Sequence, residues 1–376
     1  MWMSILLRVV ARRLSWKVGA MGMSEKSRGV RGHTSEASRV EFLDGVRGLA
    51  SFLVLIGHSM EAADPWWGQW QSTLNLGRAG IVAFFLVSGY VVALSLGFQS
   101  LRVFWIRRFF RLYPIFWITL ALYIIIDWPA SSERYSFSFV TVVLNILMIQ
   151  GFVSVASMLW PTWTLGSELA FYGQQSILKS FASRFFCHVG WFWLFVFGLM
   201  CISTRFSDLD LTAVSPLMMF TASVGIAFYQ RDQGKPSNLL LYLLACVIVV
   251  PILGWVLQGD SAAFPSSNWS ALGFNVSYLA GLAIFVAFYC LQDRSMPRIL
   301  TWLGSISYVL YLVHAIVIRV LERLDVEGAV IVWITVPVSL GAAVVMHRWI
   351  ELPFISVGRS LSKKLAKGNK RDHAAG

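Results

Sequence analysis

Long apolar runs separated by short polar ones dominate this chain. Runs close to the twenty or so residues that a membrane crossing requires fall at 43–61, 78–96, 112–128, 188–204, 214–230, 238–257, 272–291, 302–320 and 329–349. Two further apolar stretches, 138–154 and 160–182, lie between the third and fourth of these. The pattern predicts an all-α polytopic membrane protein, because a helix satisfies its own backbone hydrogen bonds in lipid. Whether one or both of the extra stretches cross decides which side every later loop faces.

Charge settles that expectation. If only one crosses, about ten transmembrane helices result, with both termini cytoplasmic. The inner side then holds eight Lys and Arg in the first 40 residues and four over 97–111. Lys179, Arg184, Arg231, Lys235, Arg294 and Arg298 follow, with seven more from Arg348 onward. The outer side keeps Arg78, Arg134, Arg205 and Arg323. Such a bias is what the positive-inside rule demands. We assign 160–182 as the crossing element and 138–154 as shallow or re-entrant.

Composition agrees. Of 376 residues 57% are hydrophobic and 13% charged, where a soluble chain carries roughly 25% charged residues. The formal net charge of +12 belongs to the cytoplasmic loops rather than to nucleic-acid binding. Cys187, Cys201, Cys246 and Cys290 stand singly in apolar runs, without metal or redox spacing, and read as small core residues. The organisation predicted is a basic, mobile N-terminal segment (1–40), a transmembrane domain (41–355) and a basic cytoplasmic tail (356–376). The opening "MWMSILLRVVARRLSWK" lacks a signal-peptide core and cleavage site. The outer loop "EAADPWWGQWQSTLNLG" is rich in Trp, which suits stacking on sugar rings and anchoring at the interface equally.

Ionisable residues inside the spans carry the chemistry, since each is costly in lipid. Arg47 and His58 are eleven residues apart in "LDGVRGLASFLVLIGHSM". At about 100° and 1.5 Å per residue they share one helix face, separated by about 16 Å along the axis. Arg47 lies at the inner surface, with Asp44 able to pair with it, and His58 lies past the midplane. In "FWIRRFFRLYP", Arg107 and Arg111 fall at i and i+4 with Arg108 beside them. Guanidinium forks suit phosphate, although basic residues at an inner helix end also serve topology alone. Glu168 in "PTWTLGSELAFYG" and His314 in "LGSISYVLYLVHAIVI", with Tyr311 three residues earlier, reach a depth similar to that of His58. Three polar groups at one level on three helices point to a reaction or transport site.

At these residues the chain resembles the integral-membrane acyltransferase 3 family. The ordered motifs are "FLDGVRGLASFLVLIGH", "GIVAFFLVSGYVV", "RRFFRLYP", "WTLGSELAFY", "LGSISYVLYLVH" and "RWIELP", spread over about residues 40–355. The family's Arg and His pair falls on Arg47 and His58, and its arginines after the second span fall on Arg107, Arg108 and Arg111. Its Trp–Glu–Phe-Tyr element falls on Trp163, Glu168, Phe171 and Tyr172, and its late Ser-Tyr–His element on Ser307, Tyr308 and His314. Glu351 and Pro353 match the closing motif. Many relatives carry an acidic residue where this chain has Val82, so no role of that carboxylate transfers.

The resemblance implies a multi-pass O-acyltransferase of the inner cell membrane. It would take an acyl group, acetyl by family habit, from cytosolic acyl-CoA to a hydroxyl of a carbohydrate or lipid-linked acceptor. His58 is then the expected general base, with Glu168 orienting the imidazole or the acceptor. Arg47, Arg107, Arg108 and Arg111 are expected on the donor's phosphates. Trp163, Tyr172, Tyr308 and His314 are expected to bind substrate or support the site. No metal is expected, and the partners are membrane lipids and the acceptor. The competing reading is a permease or flippase for a lipid-linked sugar or small anion, which would also place His, Glu and Arg near the midplane.

Overall fold

The computed structural model describes residues 28–63, 72–127, 139–153, 155–181, 188–206, 213–258 and 270–372, with side chains between 41 and 365. Residues 1–27, the loop tryptophans Trp66, Trp67 and Trp70, and Arg134, Arg184 and Cys187 lie outside it. The described residues form helices and no strands. In chain order these are α1 (Arg28–Ala63), α2 (Leu76–Phe98), α3 (Leu101–Asp127), a short α4 (Phe139–Ile146), α5 (Trp163–Phe181) and α6 (Val189–Phe206). There follow α7 (Val214–Asp232), α8 (Leu239–Leu257), α9 (Ala271–Cys290), α10 (Arg298–Arg323), α11 (Val330–Met346) and α12 (Leu352–Asp372).

Seven helices are long and apolar enough to cross a membrane, namely α2, α3, α6, α8, α9, α10 and the helix that runs through α11 into α12. Helices α1, α5 and α7 are of similar length but more polar. That polarity has a place to go. Helix α7 is buried over nearly its whole circumference, from Pro216 to Tyr229, whereas the peripheral α6 divides cleanly. Its Gly190, Leu194, Phe197 and Cys201 are buried, and Phe192, Phe195, Leu199 and Ile202 are exposed where lipid would cover them.

The stretch 138–154 does not form a spanning helix. Helix α4 has eight residues, a rise of about 12 Å, and the chain turns at Met148, which adopts a φ of 60°. Asn145 pins this turn: its Nδ2 donates to the carbonyls of Thr141 and Ala156, and its Oδ1 accepts from the Met158 amide. Two π-helical turns, Ala245–Val249 within α8 and His347–Glu351 between α11 and α12, shift the faces of those helices partway along.

The centre of the bundle is the packing of α10 on α1, with α2 against α1, α7 and α9. Glycines bring these backbones together. A β-carbon on Gly48 would overlap the Leu300 carbonyl oxygen, and one on Gly304 would overlap the carbonyl of Asp44. Gly89 meets the Ala222 carbonyl across α2 and α7 in the same way. Lipid offers no hydrophobic gain for helix association, so such close backbone packing is a main source of cohesion. Gly89→Val should therefore destabilise the bundle by at least about 1–3 kcal/mol in thermal unfolding in detergent. Gly341→Val, at a site with nothing within 4 Å of the added carbon, should leave the transition unchanged. Equal melting of the two variants would contradict this packing.

Candidate active site

Helix α1 sets the frame. It carries Arg47 near its middle and His58 near its C-terminal end on one face, and its crossing with α10 brings His314 against His58. His58 Nδ1 lies 2.9 Å from His314 Nε2. The ring centroids are 5.1 Å apart and the planes differ by 8°. That spacing is one ring radius on each side of the N···N contact, so the imidazoles lie edge to edge in nearly one plane. His314 is fully buried, with Nδ1 3.2 Å from the Leu310 carbonyl. Trp160, in the 3-10 turn that precedes α5, stands perpendicular to both rings, 4.4 Å from His58 and 5.7 Å from His314.

One layer toward the arginines, the Tyr311 hydroxyl lies 2.7 Å from Thr164 Oγ1 and donates to the Pro161 carbonyl at 2.7 Å. These bonds tie α10 to the start of α5. Phe84 packs edge-on to Tyr311. Below this layer opens a cavity lined by Arg47, Ser88, Arg108, Arg111, Glu168, Tyr172, Ser307, Tyr308 and Tyr311, among others. His58 is not among its lining residues. The histidine pair and the arginine-lined cavity therefore stand on either side of the Phe84–Tyr311 layer.

Glu168 sits within that cavity, away from the imidazoles. Its Oε1 accepts from Ser88 Oγ at 3.0 Å and from the Tyr172 hydroxyl. Tyr172 in turn accepts from Arg108 Nη1 at 3.0 Å, and the Arg108 guanidinium lies over the Tyr172 ring at 4.6 Å. Thr164, Glu168 and Tyr172 are spaced by four residues on α5, so one helix face lines the route from the Tyr311 layer to Arg108. Tyr308 donates to the Leu112 carbonyl at 2.9 Å, and Arg47 pairs with Asp44 at 3.5 Å.

Farther from the histidines Arg107, Arg108 and Arg111 line a second cavity, where Arg359 of α12 joins them. Arg107 Nε donates to Ser362 Oγ at 3.2 Å, tying α3 to α12. Among the described residues, no carboxylate lines this cavity. Arg108 and Arg111 belong to both cavities, so guanidiniums run continuously from one to the other. Among the described residues, no three His, Cys, Asp or Glu come together as metal ligands would.

Most of the residues singled out in the sequence thus gather along one axis of the bundle. The indole that stands against the histidines is that of Trp160, three residues before Trp163. Val82 is buried against Gly281 of α9 and does not line the cavity. Ser88, Trp160, Thr164 and Arg359 were not anticipated. Thr164 was open to inference from its spacing with Glu168 and Tyr172. The other three depend on helix rotations that one sequence does not specify.

Comparison with known proteins adds an independent line. The sequence model of an acyltransferase domain family matches residues 40–348. Nodulation protein 10 of Rhizobium leguminosarum bv. viciae is 26% identical over 355 residues, covering 85% of this chain and 94% of that protein. A Staphylococcus aureus (strain COL) protein named for O-acetyltransferase activity is 22% identical over 358 residues, covering 84% of this chain and 57% of its own. Acyltransferase MdmB of Streptomyces mycarofaciens is 30% identical over 105 residues, 26% of this chain and 27% of that protein. No solved structure matches.

Proposed function

The chain belongs to the acyltransferase family matched over residues 40–348, a membrane O-acyltransferase, and from that premise we propose its donor, acceptor and working residues. The donor is cytosolic acyl-CoA, with acetyl as the acyl group. The acceptor is a hydroxyl of a carbohydrate or lipid-linked molecule on the outer side of the inner cell membrane.

The observation that carries this reading is the order of groups along the axis. Four arginines line the cavity at one end and an imidazole pair stands at the other. Arg107, Arg108, Arg111 and Arg359 suit the donor's phosphates, because guanidinium forks match phosphate oxygens and gain strength away from water. Pantetheine is a thin, extended arm that suits the passage by Arg47, Glu168 and Tyr172. Its thioester has to pass the Phe84–Tyr311 layer to reach His58. A hydroxyl attacks a thioester poorly until a base takes its proton, and imidazole is the side chain best suited near neutral pH. Glu168, bonded to Ser88 and Tyr172, holds the Arg108 relay in place rather than orienting the imidazole.

Ten spans with both termini cytoplasmic put the arginine end on the donor's side. The three more polar helices, α1, α5 and α7, then cross along with the seven apolar ones. With the native cysteines replaced, Lys235→Cys should react with an impermeant maleimide only after permeabilisation, and Glu327→Cys should react in intact cells. The opposite labelling would invert the proposed direction of transfer.

The enzymatic test uses labelled acetyl-CoA and membranes from cells that make the protein. His58→Ala should abolish transfer while the protein stays abundant in the membrane. Arg107→Ala combined with Arg111→Ala should raise the donor KM about tenfold or more, as expected for lost charge-assisted phosphate contacts. Normal turnover without His58, or an unchanged donor KM without the arginines, would remove the corresponding role. Label that crosses the membrane without joining an acceptor would favour a permease.

A further inference from the structure

His58 has two ring nitrogens, and only one of them can act as the base. We propose that His314 is a positioning residue that fixes the tautomer of His58, so that Nε2 is the nitrogen presented to the acceptor hydroxyl. The proposal rests on the reading of His58 as general base and names the device that makes it one.

The argument begins at Leu310. Its carbonyl lies 3.2 Å from His314 Nδ1, one turn back on the same helix, and a carbonyl can only accept. Nδ1 of His314 therefore carries the hydrogen. A neutral imidazole has one N–H, so Nε2 of His314 bears a lone pair. His58 Nδ1, 2.9 Å away and nearly in the same plane, must donate to it. That leaves Nε2 of His58 without a hydrogen. The doubly protonated alternative would put a charge on a side chain with no exposed surface and no carboxylate among its contacts, a costly arrangement.

The surroundings fix the direction as well as the tautomer. Trp160 stands at right angles to both imidazoles and restrains their rotation out of the common plane. A β-carbon on Gly77 would come 3.2 Å from His58 Nε2 and 3.3 Å from Asn75 Oδ1. With glycine at position 77, no side-chain carbon crowds that nitrogen from α2.

In the reaction, His58 Nε2 takes the hydroxyl proton as the acceptor oxygen bonds to the thioester carbon. As the tetrahedral intermediate collapses the carbon–sulfur bond breaks, and Nε2 returns the proton to the departing sulfur. The Nδ1–H bond to His314 persists throughout. His314 touches neither substrate. It does for His58 what a carboxylate does in many hydrolases, with a neutral acceptor nitrogen in place of a charge.

The test compares His314→Leu, which offers no acceptor, with His314→Gln, whose amide oxygen can receive the Nδ1–H. Turnover of labelled acetyl-CoA in membranes should fall about 10²–10⁴-fold in the Leu variant with donor KM within about twofold, and the Gln variant should stay within about tenfold of the parent. Equal rates in the two variants, both retained or both lost, would overturn the proposal. His58→Gln separates this from the underlying reading. If it keeps activity the base itself is wrong, whereas an inactive His58→Gln beside a normal His314→Leu removes only the role of His314. ¹⁵N spectra of the histidine-labelled parent protein provide a measurement independent of variant folding. They should show His58 protonated at Nδ1 and bare at Nε2, and the reverse tautomer would overturn the inference.

Discussion

Everything in this structure depends on how closely α1 and α10 cross. Gly48 and Gly304 allow each backbone to lie against the carbonyls of the other helix. Only at that separation do His58 and His314, one on each helix, come within hydrogen-bond distance. The same crossing sets Arg47 of α1 with Ser307 and Tyr308 of α10 around the cavity that also holds Glu168. A side chain inserted at either glycine would part the imidazoles and the cavity wall together.

Polar groups inside a membrane protein must find partners within it, and three clusters among the described residues show two ways of doing so. At the C-terminal end of α3 Asp127 pairs with Arg319 and Arg323 of α10. At the C-terminal end of α7 Asp232 accepts from Tyr90 at 2.8 Å and Tyr289 at 2.6 Å, joining α2, α7 and α9. Both clusters pin helices at an interface. The third, Arg108–Tyr172–Glu168–Ser88, lies along a cavity instead of between packed walls. A network that opens onto a cavity is the one placed to meet a ligand.

Much of the architecture was legible from apolar run length, because lipid imposes a minimum on every crossing. The runs at 78–96 and 272–291 became α2 and α9 with shifts of a few residues. Helix α3 begins at Leu101, well before the run at 112, since its first turns carry arginines that a hydropathy reading discounts. Among site residues, Arg47 and His58 were placed on one face by spacing alone, and α1 is continuous between them. The partner of His58 was not legible, because it depends on the rotation of α10 about its axis. Nor was the choice of Trp160 over Trp163, which a 3-10 turn decides. Arg359 lies beyond the π-helical turn at His347–Glu351, where a 3.6-residue period loses its phase.

The central claim is that one donor molecule spans from the inner arginines to the outer imidazoles. Its most direct measurement is a cryo-electron-microscopy structure with an acetyl-CoA analogue in which a thioether replaces the thioester. The account predicts phosphates among Arg107, Arg108, Arg111 and Arg359, the Phe84–Tyr311 layer parted, and the thioether sulfur beside His58 Nε2. An analogue whose acyl end stops short of Tyr311, or whose phosphates lie away from those arginines, would contradict it.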